Sequence, residues 1–233
     1  MCKIMYTSTM NSDELYEEYL RDSEEIGRRY RGYLSSSKFK VLRRDGQRFP
    51  IRKTIEIKLS SGNLYLLAMT IPDRKSLFQS DFPVNVSALL NEYNGYSIIT
   101  FATRVGTKKP QIMKMVPHLL SRYKERLHLD IEGIELMKHF VESCPIFNIT
   151  IEDYETGECL VSTINGAISG RCKREKKTYS FTLLTFVSDE TIERGKRKEC
   201  IDQYNEILDD NIDYFPQITK SARKAIKMYC YRK

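Results

Sequence analysis

The sequence predicts an α+β fold in which antiparallel β-meanders pack with helices. Three observations predict it. Strand-like segments are joined by short turn signals, among them Asp45-Gly46, Thr156-Gly157 and Asn165-Gly166. Helical periodicity is confined to separate stretches, 11–34, 117–128 and 131–143. Runs of strands lie beside runs of helices, without the strict alternation of a βαβ protein. The chain has 233 residues, 41% of them hydrophobic and 30% charged, a globular balance. At that length about 70% of the unfolded surface is buried, so the core needs neither disulfides nor a metal.

Taken in order, Asn11 and Glu14 form a capping box that opens a helix over 11–34, with Leu15, Tyr19, Ile26, Tyr30 and Tyr33 at near-helical spacing. Ser35 to Ser37 end it. The Asp45-Gly46 turn predicts a hairpin, and in its second arm Ile55, Ile57 and Leu59 alternate with Glu56 and Lys58. Ser60 to Asn63 turn the chain into the apolar strand 64–71. Between Pro72 and Tyr93 the pattern is broken, and 84–93 is expected to be a short helix. Strands at 96–104 and 111–116 follow around a Gly-Thr-Lys-Lys-Pro turn. Pro117 opens the next helix from its first position. A second helix ends before Pro145. Three or four strands are expected, at 146–154, 158–164, 167–171 and 178–188, then a helix over 190–208 capped by Asp189 and a last one from Thr219 to near Met228. The expected division is an N-terminal helix and β-hairpin region, 1–110, and a basic helix-helix-β-meander-helix region, 111–233.

Several function classes are excluded. The opening MCKIMYTSTMNSDELYEEYL has no apolar run of signal-peptide length, and no window reaches the ~18 apolar residues of a membrane span. Six well-separated cysteines without a CxxC pair read as free thiols, so the expected compartment is the cytoplasm. There is no GxxxxGK[ST], GxGxxG after a strand, HExxH or GxSxG, and no cofactor is expected. Asp45, Glu56 and Lys58 match the loose D…ExK spacing of magnesium nucleases. An Asp-Gly turn and the wet side of a hairpin explain those residues more simply.

The formal charge of +7 makes an acidic partner the natural expectation. The most informative stretch is PHLLSRYKERL, 117–127. At about 100° per residue, His118, Arg122 and Arg126 fall within an arc of about 80°, apart from the stripe of Leu119, Leu120, Tyr123 and Leu127. An imidazole can exchange a proton near neutrality, and guanidiniums can hold phosphate oxygens. A solvated helix face with Glu125 paired to an Arg explains the same residues. Lys173, Arg174, Lys176 and Lys177 form a basic turn, and Arg194, Lys196, Arg197 and Lys198 a basic helical cluster. Lys220, Arg223, Lys224 and Lys227 add a third patch. Alternation along TYSFTLLTFVS puts Thr185 on one face with Tyr179, Phe181, Leu183 and Val187, from which it could approach the His118 helix.

A helix of pattern HxxxRYxxR, a second helix and an antiparallel meander resemble the small ribonuclease fold group of RelE-type toxins, barnase and colicin tRNase domains. The likeness is greatest to uncharacterised phage and mobile-element members. It covers about 111–190 and carries over His118, Arg122 and Arg126. The resemblance implies metal-free RNA cleavage, in which a ribose 2′-hydroxyl attacks the adjacent phosphorus. The functional expectation is therefore a protein that binds RNA or DNA, with His118 as acid or base and Arg122 and Arg126 on phosphate. Thr185 would approach the same site, and Lys173, Arg174, Lys176, Lys177, Arg194 and Arg197 would guide the strand. The alternative is a non-catalytic nucleic-acid-binding or protein-interaction protein.

Overall fold

The computed structural model describes residues 5–44, 46–103, 109–143, 151–153, 155–163 and 166–188. Helix α1 (Ser12–Ser35) begins at the expected capping box: Asn11 accepts from the Glu14 amide at 3.0 Å, and the Glu14 carboxylate accepts from the Asn11 amide at 2.8 Å. It is followed by α2 (Ser37–Lys40), a single 3₁₀ turn at 41–43, strands β1 (Ile51–Lys58) and β2 (Leu64–Ile71), and the short helix α3 (Arg74–Gln79). Then come β3 (Val84–Glu92), β4 (Gly95–Thr103), β5 (Pro110–Met115), α4 (Pro117–Arg126), α5 (Gly133–Ser143), β6 (Ile151–Asp153), β7 (Glu158–Thr163), β8 (Gly166–Arg174) and β9 (Tyr179–Ser188). No helix among the described residues is long and apolar enough to cross a membrane.

The nine strands form one sheet in the order β1-β2-β3-β4-β5-β9-β8-β7-β6. Every neighbouring pair is antiparallel except β5 and β9, which run parallel with Met113 beside Phe181. The fold is therefore α+β with a mixed sheet. The parallel join was not expected: α4 and α5 carry the chain across one face, and the second meander returns to lie beside β5. The expected boundary at residue 110 falls between β4 and β5, which are paired from Ile98–Met115 to Thr103–Pro110.

Helices cover both faces, which explains why the central strands bury apolar residues on both sides. Tyr65, Leu67, Ala88, Leu90, Ile99 and Ile112 face Leu15 and Ile26 of α1. The alternate residues Leu66, Leu89, Ile98, Met113 and Met115 join Leu119, Leu120, Tyr123, Leu136, Met137 and Phe140 of α4 and α5. Burial on both sides makes a near-continuous apolar run in β2 and lets apolar residues stand at adjacent positions in β3 and β4. The same effect corrects the reading of 84–93. Asn85, Val86, Ser87, Ala88 and Leu89 were expected to be helical, yet they pair with Ala68, Leu67, Leu66, Tyr65 and Leu64 in β3. The first arm of the predicted Asp45-Gly46 hairpin is also helical, because Ser36 caps α2 by accepting from the Phe39 amide and Phe39 is fully buried.

The inner face of α1 is not wholly apolar. Glu18, Asp22 and Glu25 are buried on it at i, i+4 and i+7. Glu25 accepts from the Ser60 amide at 3.1 Å and the Ser60 hydroxyl at 2.6 Å, tying α1 to the β1–β2 turn. At the sheet edge, Glu142 of α5 accepts the Thr54 amide of β1 at 2.7 Å, and Lys138 bridges Glu56 at 2.6 Å. The first of these contacts occupies a backbone amide of the edge strand.

Candidate nucleic-acid interface

Helix α4 forms as its sequence dictates, with Pro117 in its first turn and Leu119, Leu120 and Tyr123 buried. His118, Arg122 and Arg126 lie off that apolar stripe, and each meets a different environment. His118 is exposed and borders a recess with Ser8, Glu92, Tyr93, Asn94 and Ser121. Arg122 pairs with Glu125 one turn on, at 2.7 Å. Arg126 donates to the Phe186 carbonyl of β9. The imidazole is thus presented to solvent, while one guanidinium is paired with a carboxylate and the other ties α4 to the sheet.

Thr185 is displaced from its expected position. The β8–β9 pairing shifts between Ser169 and Gly170, so that Gly170 faces Leu183 and Ser169 faces Thr185, leaving Leu184 as the extra residue. The bulge moves the alternation over by one. Phe186 consequently joins Phe181 and Leu183 in the core, where its ring meets Tyr123 at 5.1 Å. Thr185 therefore belongs to the sheet face turned away from α4, which corrects the expectation that it approaches His118.

The Lys173–Lys177 turn is largely occupied by α1 and by itself. Lys173 pairs with Glu175 at 2.5 Å. The Lys177 ammonium donates to Glu17, its backbone amide meets both Asp13 carboxylate oxygens at 3.1 Å, and Thr178 donates to Asp13 at 2.8 Å. Hydrogen bonding to Lys177 holds the Glu17 carboxyl below its usual range and raises the lysine above its own. Lys176 is exposed; Arg174 is exposed on β8. Arg194, Arg197 and the other basic residues beyond 188 lie outside the described residues.

A second recess of about 570 Å³ separates α4 from α5. Leu120, Leu136 and Met137 form its floor, the Lys124–Glu132 pair spans it at 2.5 Å, and His128 at its rim has a left-handed φ of 50°. His139 meets the Tyr123 hydroxyl through Nδ1 at 3.0 Å. Among the described residues, no three His, Cys, Asp or Glu side chains gather as a metal site.

Among the described residues, a broad excess of positive charge lies at the other end of the sheet from α4. Residues 27–75 contain thirteen Lys and Arg against three Asp and Glu, an excess larger than the +7 of the whole chain. The fold brings these residues to the β1 end of the sheet. There the C-terminal turns of α1, then α2, β1 and α3 surround an apolar cluster of Phe39, Met69, Ile71, Leu77 and Phe82. Burying those side chains pushes the intervening cations outward. Arg28, Arg31, Lys38, Lys40, Arg44, Arg48, Lys53, Lys58, Arg74 and Lys75 are all exposed. A groove of about 860 Å³ runs between α1, α2 and β1, lined by Arg29, Tyr33, Lys38, Leu42, Lys53 and Lys58 among others. Glu56 in that groove is already paired with Lys138. Lys38, Lys53 and Lys58 have no carboxylate at ion-pair distance among the described residues. The signal was available as a local charge count, but the cations are dispersed among apolar residues rather than run together.

Comparison with protein-family models, with curated proteins and with solved structures returned no match to this chain.

Proposed function

We propose that this protein binds nucleic acid, and that the cationic β1 end is its contact surface. One observation carries the reading: thirteen cations against three acids within 27–75, with exposed lysines lining a groove whose one carboxylate is engaged. A phosphate chain is the polyanion best matched to such a surface, because each neutralised phosphate releases condensed counterions. The test is fluorescence anisotropy with labelled RNA and DNA across a salt series. Affinity should fall steeply with salt, and the triple variant Lys38→Glu, Lys53→Glu, Lys58→Glu should bind about a hundred-fold more weakly at low salt. A control, Lys173→Glu with Lys176→Glu, should lose far less. Absence of binding at low salt, or equal affinity of the triple variant, would overturn the proposal.

RNA cleavage at α4 is the second reading, favoured by the exposure of His118 beside Ser121 and the β3–β4 turn. It requires cleavage in EDTA that His118→Ala abolishes. Binding without cleavage leaves the cationic end as the whole of the function.

A further inference from the structure

We propose that the cationic end takes single-stranded rather than duplex nucleic acid, with Phe78 of α3 as the platform on which a base stacks. The inference rests on the nucleic-acid reading above and names the substrate class of that surface.

Phe78 is anomalous for its setting. It is 50% exposed, whereas the next residue toward the N-terminus, Leu77, is fully buried in the cluster beneath α3. Asp73 caps α3 through the Ser76 amide at 2.8 Å, which fixes Leu77 inward and leaves Phe78 turned to solvent. The ring is surrounded by positive charge: the guanidiniums of Arg43 and Arg74 stand 5.5 and 5.6 Å from its centroid. Exposed Val41 lies two residues before Arg43 on the adjoining 3₁₀ turn. Among the described residues, the buried Arg43 Nε has no hydrogen-bond acceptor.

An exposed aromatic ring flanked by guanidiniums is the arrangement that single strands use. An unpaired base offers a π-face to the ring, and its flanking phosphates offer oxygens to the arginines. A base and a guanidinium compete for the same ring face. Stacking of a base therefore displaces Arg74, which is exposed, towards a phosphate. A duplex cannot exploit the ring, because its bases are already stacked on one another. Lysines in the groove beside β1 would interact with either form, so charge and stacking separate experimentally.

The experiment uses the full chain and labelled oligo(U), oligo(dU) and a mixed-sequence duplex, each of about 12 nucleotides per strand, within the span one module covers. Phe78→Ala should weaken single-strand binding about ten-fold and leave duplex affinity unchanged, and Phe78→Trp should restore or tighten it. Comparison of oligo(U) with oligo(dU), which differ in the 2′-hydroxyl alone, identifies the sugar the site takes. Phe78 is half exposed, so the variants should keep the wild-type thermal midpoint, which circular dichroism checks. Wild-type binding to all probes with no effect of Phe78→Ala overturns this inference while the nucleic-acid reading stands. The same holds if single strand and duplex weaken equally. Failure of the wild-type protein to bind any probe overturns both.

Discussion

The hydroxyl of Tyr65, on β2, donates to the carboxylate of Asp22, on α1, at 3.0 Å, and both residues are fully buried. The same carboxylate oxygen accepts from the Asn63 side-chain amide at 2.7 Å, and Asn63 accepts the Tyr6 backbone amide at 2.8 Å. Tyr6 closes the network through its hydroxyl, 2.6 Å from that of Tyr65. The segment before α1, the helix itself and the first two strands are therefore held by one buried polar cluster. A buried polar group is costly when left without a partner, so the members depend on one another.

Asp22→Ala should cost about 3 kcal/mol of folding stability, since it removes the buried acceptor that the Tyr65 hydroxyl and the Asn63 side-chain amide share. Tyr65→Phe should cost less, about 1–2 kcal/mol, because the carboxylate keeps Asn63. Urea denaturation of both variants measures this. A loss below about 1 kcal/mol for Asp22→Ala would mean that water or a rearranged side chain replaces the network.

The same cluster sets an alkaline limit. Burial pushes the Tyr6 and Tyr65 phenols well above the ordinary value near 10, and the nearby Asp22 charge raises both further. Burial likewise pushes Tyr30 up to about 12. A group whose folded pKa is raised retains its proton in the native state after the unfolded chain has lost it. Its contribution is complete below pH 10 and declines as pH rises beyond that. Near-ultraviolet titration should show tyrosines that ionise only with unfolding, and urea midpoints should fall from about pH 10 upward. Complete, reversible tyrosine ionisation in the folded protein by pH 11 would contradict the buried cluster.

How much of this was legible in the sequence varies with the physics involved. The capping box of α1, Pro117 at the start of α4 and the strands at 158–163 and 179–188 are local signals, and they read correctly, whereas β8 runs three residues beyond its expected end at 171. Strand β3 did not read correctly, because Asn85 and Ser87 interrupt its apolar residues and its neighbours lie elsewhere in the chain. The carboxylates Glu18, Asp22 and Glu25 were passed over because a search for an apolar stripe treats charged residues as the outer face. The β1-end cations form no contiguous basic run, because the fold gathers Lys38, Lys53 and Lys58 from separate elements. The spacing of His118, Arg122 and Arg126 along α4 suggested one shared polar surface. Nothing in that spacing foretold that Arg126 would reach the β9 backbone.

Gly170 should be intolerant of substitution. A Cβ there would lie 2.4 Å from the Thr182 carbonyl and 3.0 Å from Leu183 Cα, both backbone atoms of the paired strand. Glycine in a strand often marks such a close approach. Gly170→Ala should cost about 2–4 kcal/mol and loosen the packing of Phe186 on Tyr123. Denaturant titration gives the first, and amide hydrogen exchange of β8 and β9 the second. A neutral substitution would mean that the strands part at little cost and that the bulge is not what sets Thr185 and Phe186 on their faces.

Arg122 and Arg126 should respond oppositely, because only one is joined to the sheet. The Arg126 guanidinium donates to a backbone carbonyl on β9, beside the fully buried Phe186 ring. Arg126→Ala removes a charge-assisted hydrogen bond to a carbonyl that has little access to water, and should cost about 1–2 kcal/mol. Among the described residues Arg122 pairs with exposed Glu125, and such i,i+3 pairs contribute about 0.5 kcal/mol or less, so Arg122→Ala should leave stability nearly unchanged. His118→Ala, at an exposed position, should be equally silent. Thermal and urea unfolding of the three variants, measured alongside their nucleic-acid affinity, separates a structural arginine from a phosphate ligand. Arg126→Ala with full stability and weakened RNA binding would return Arg126 to the phosphate-holding role that its helical spacing with His118 first suggested.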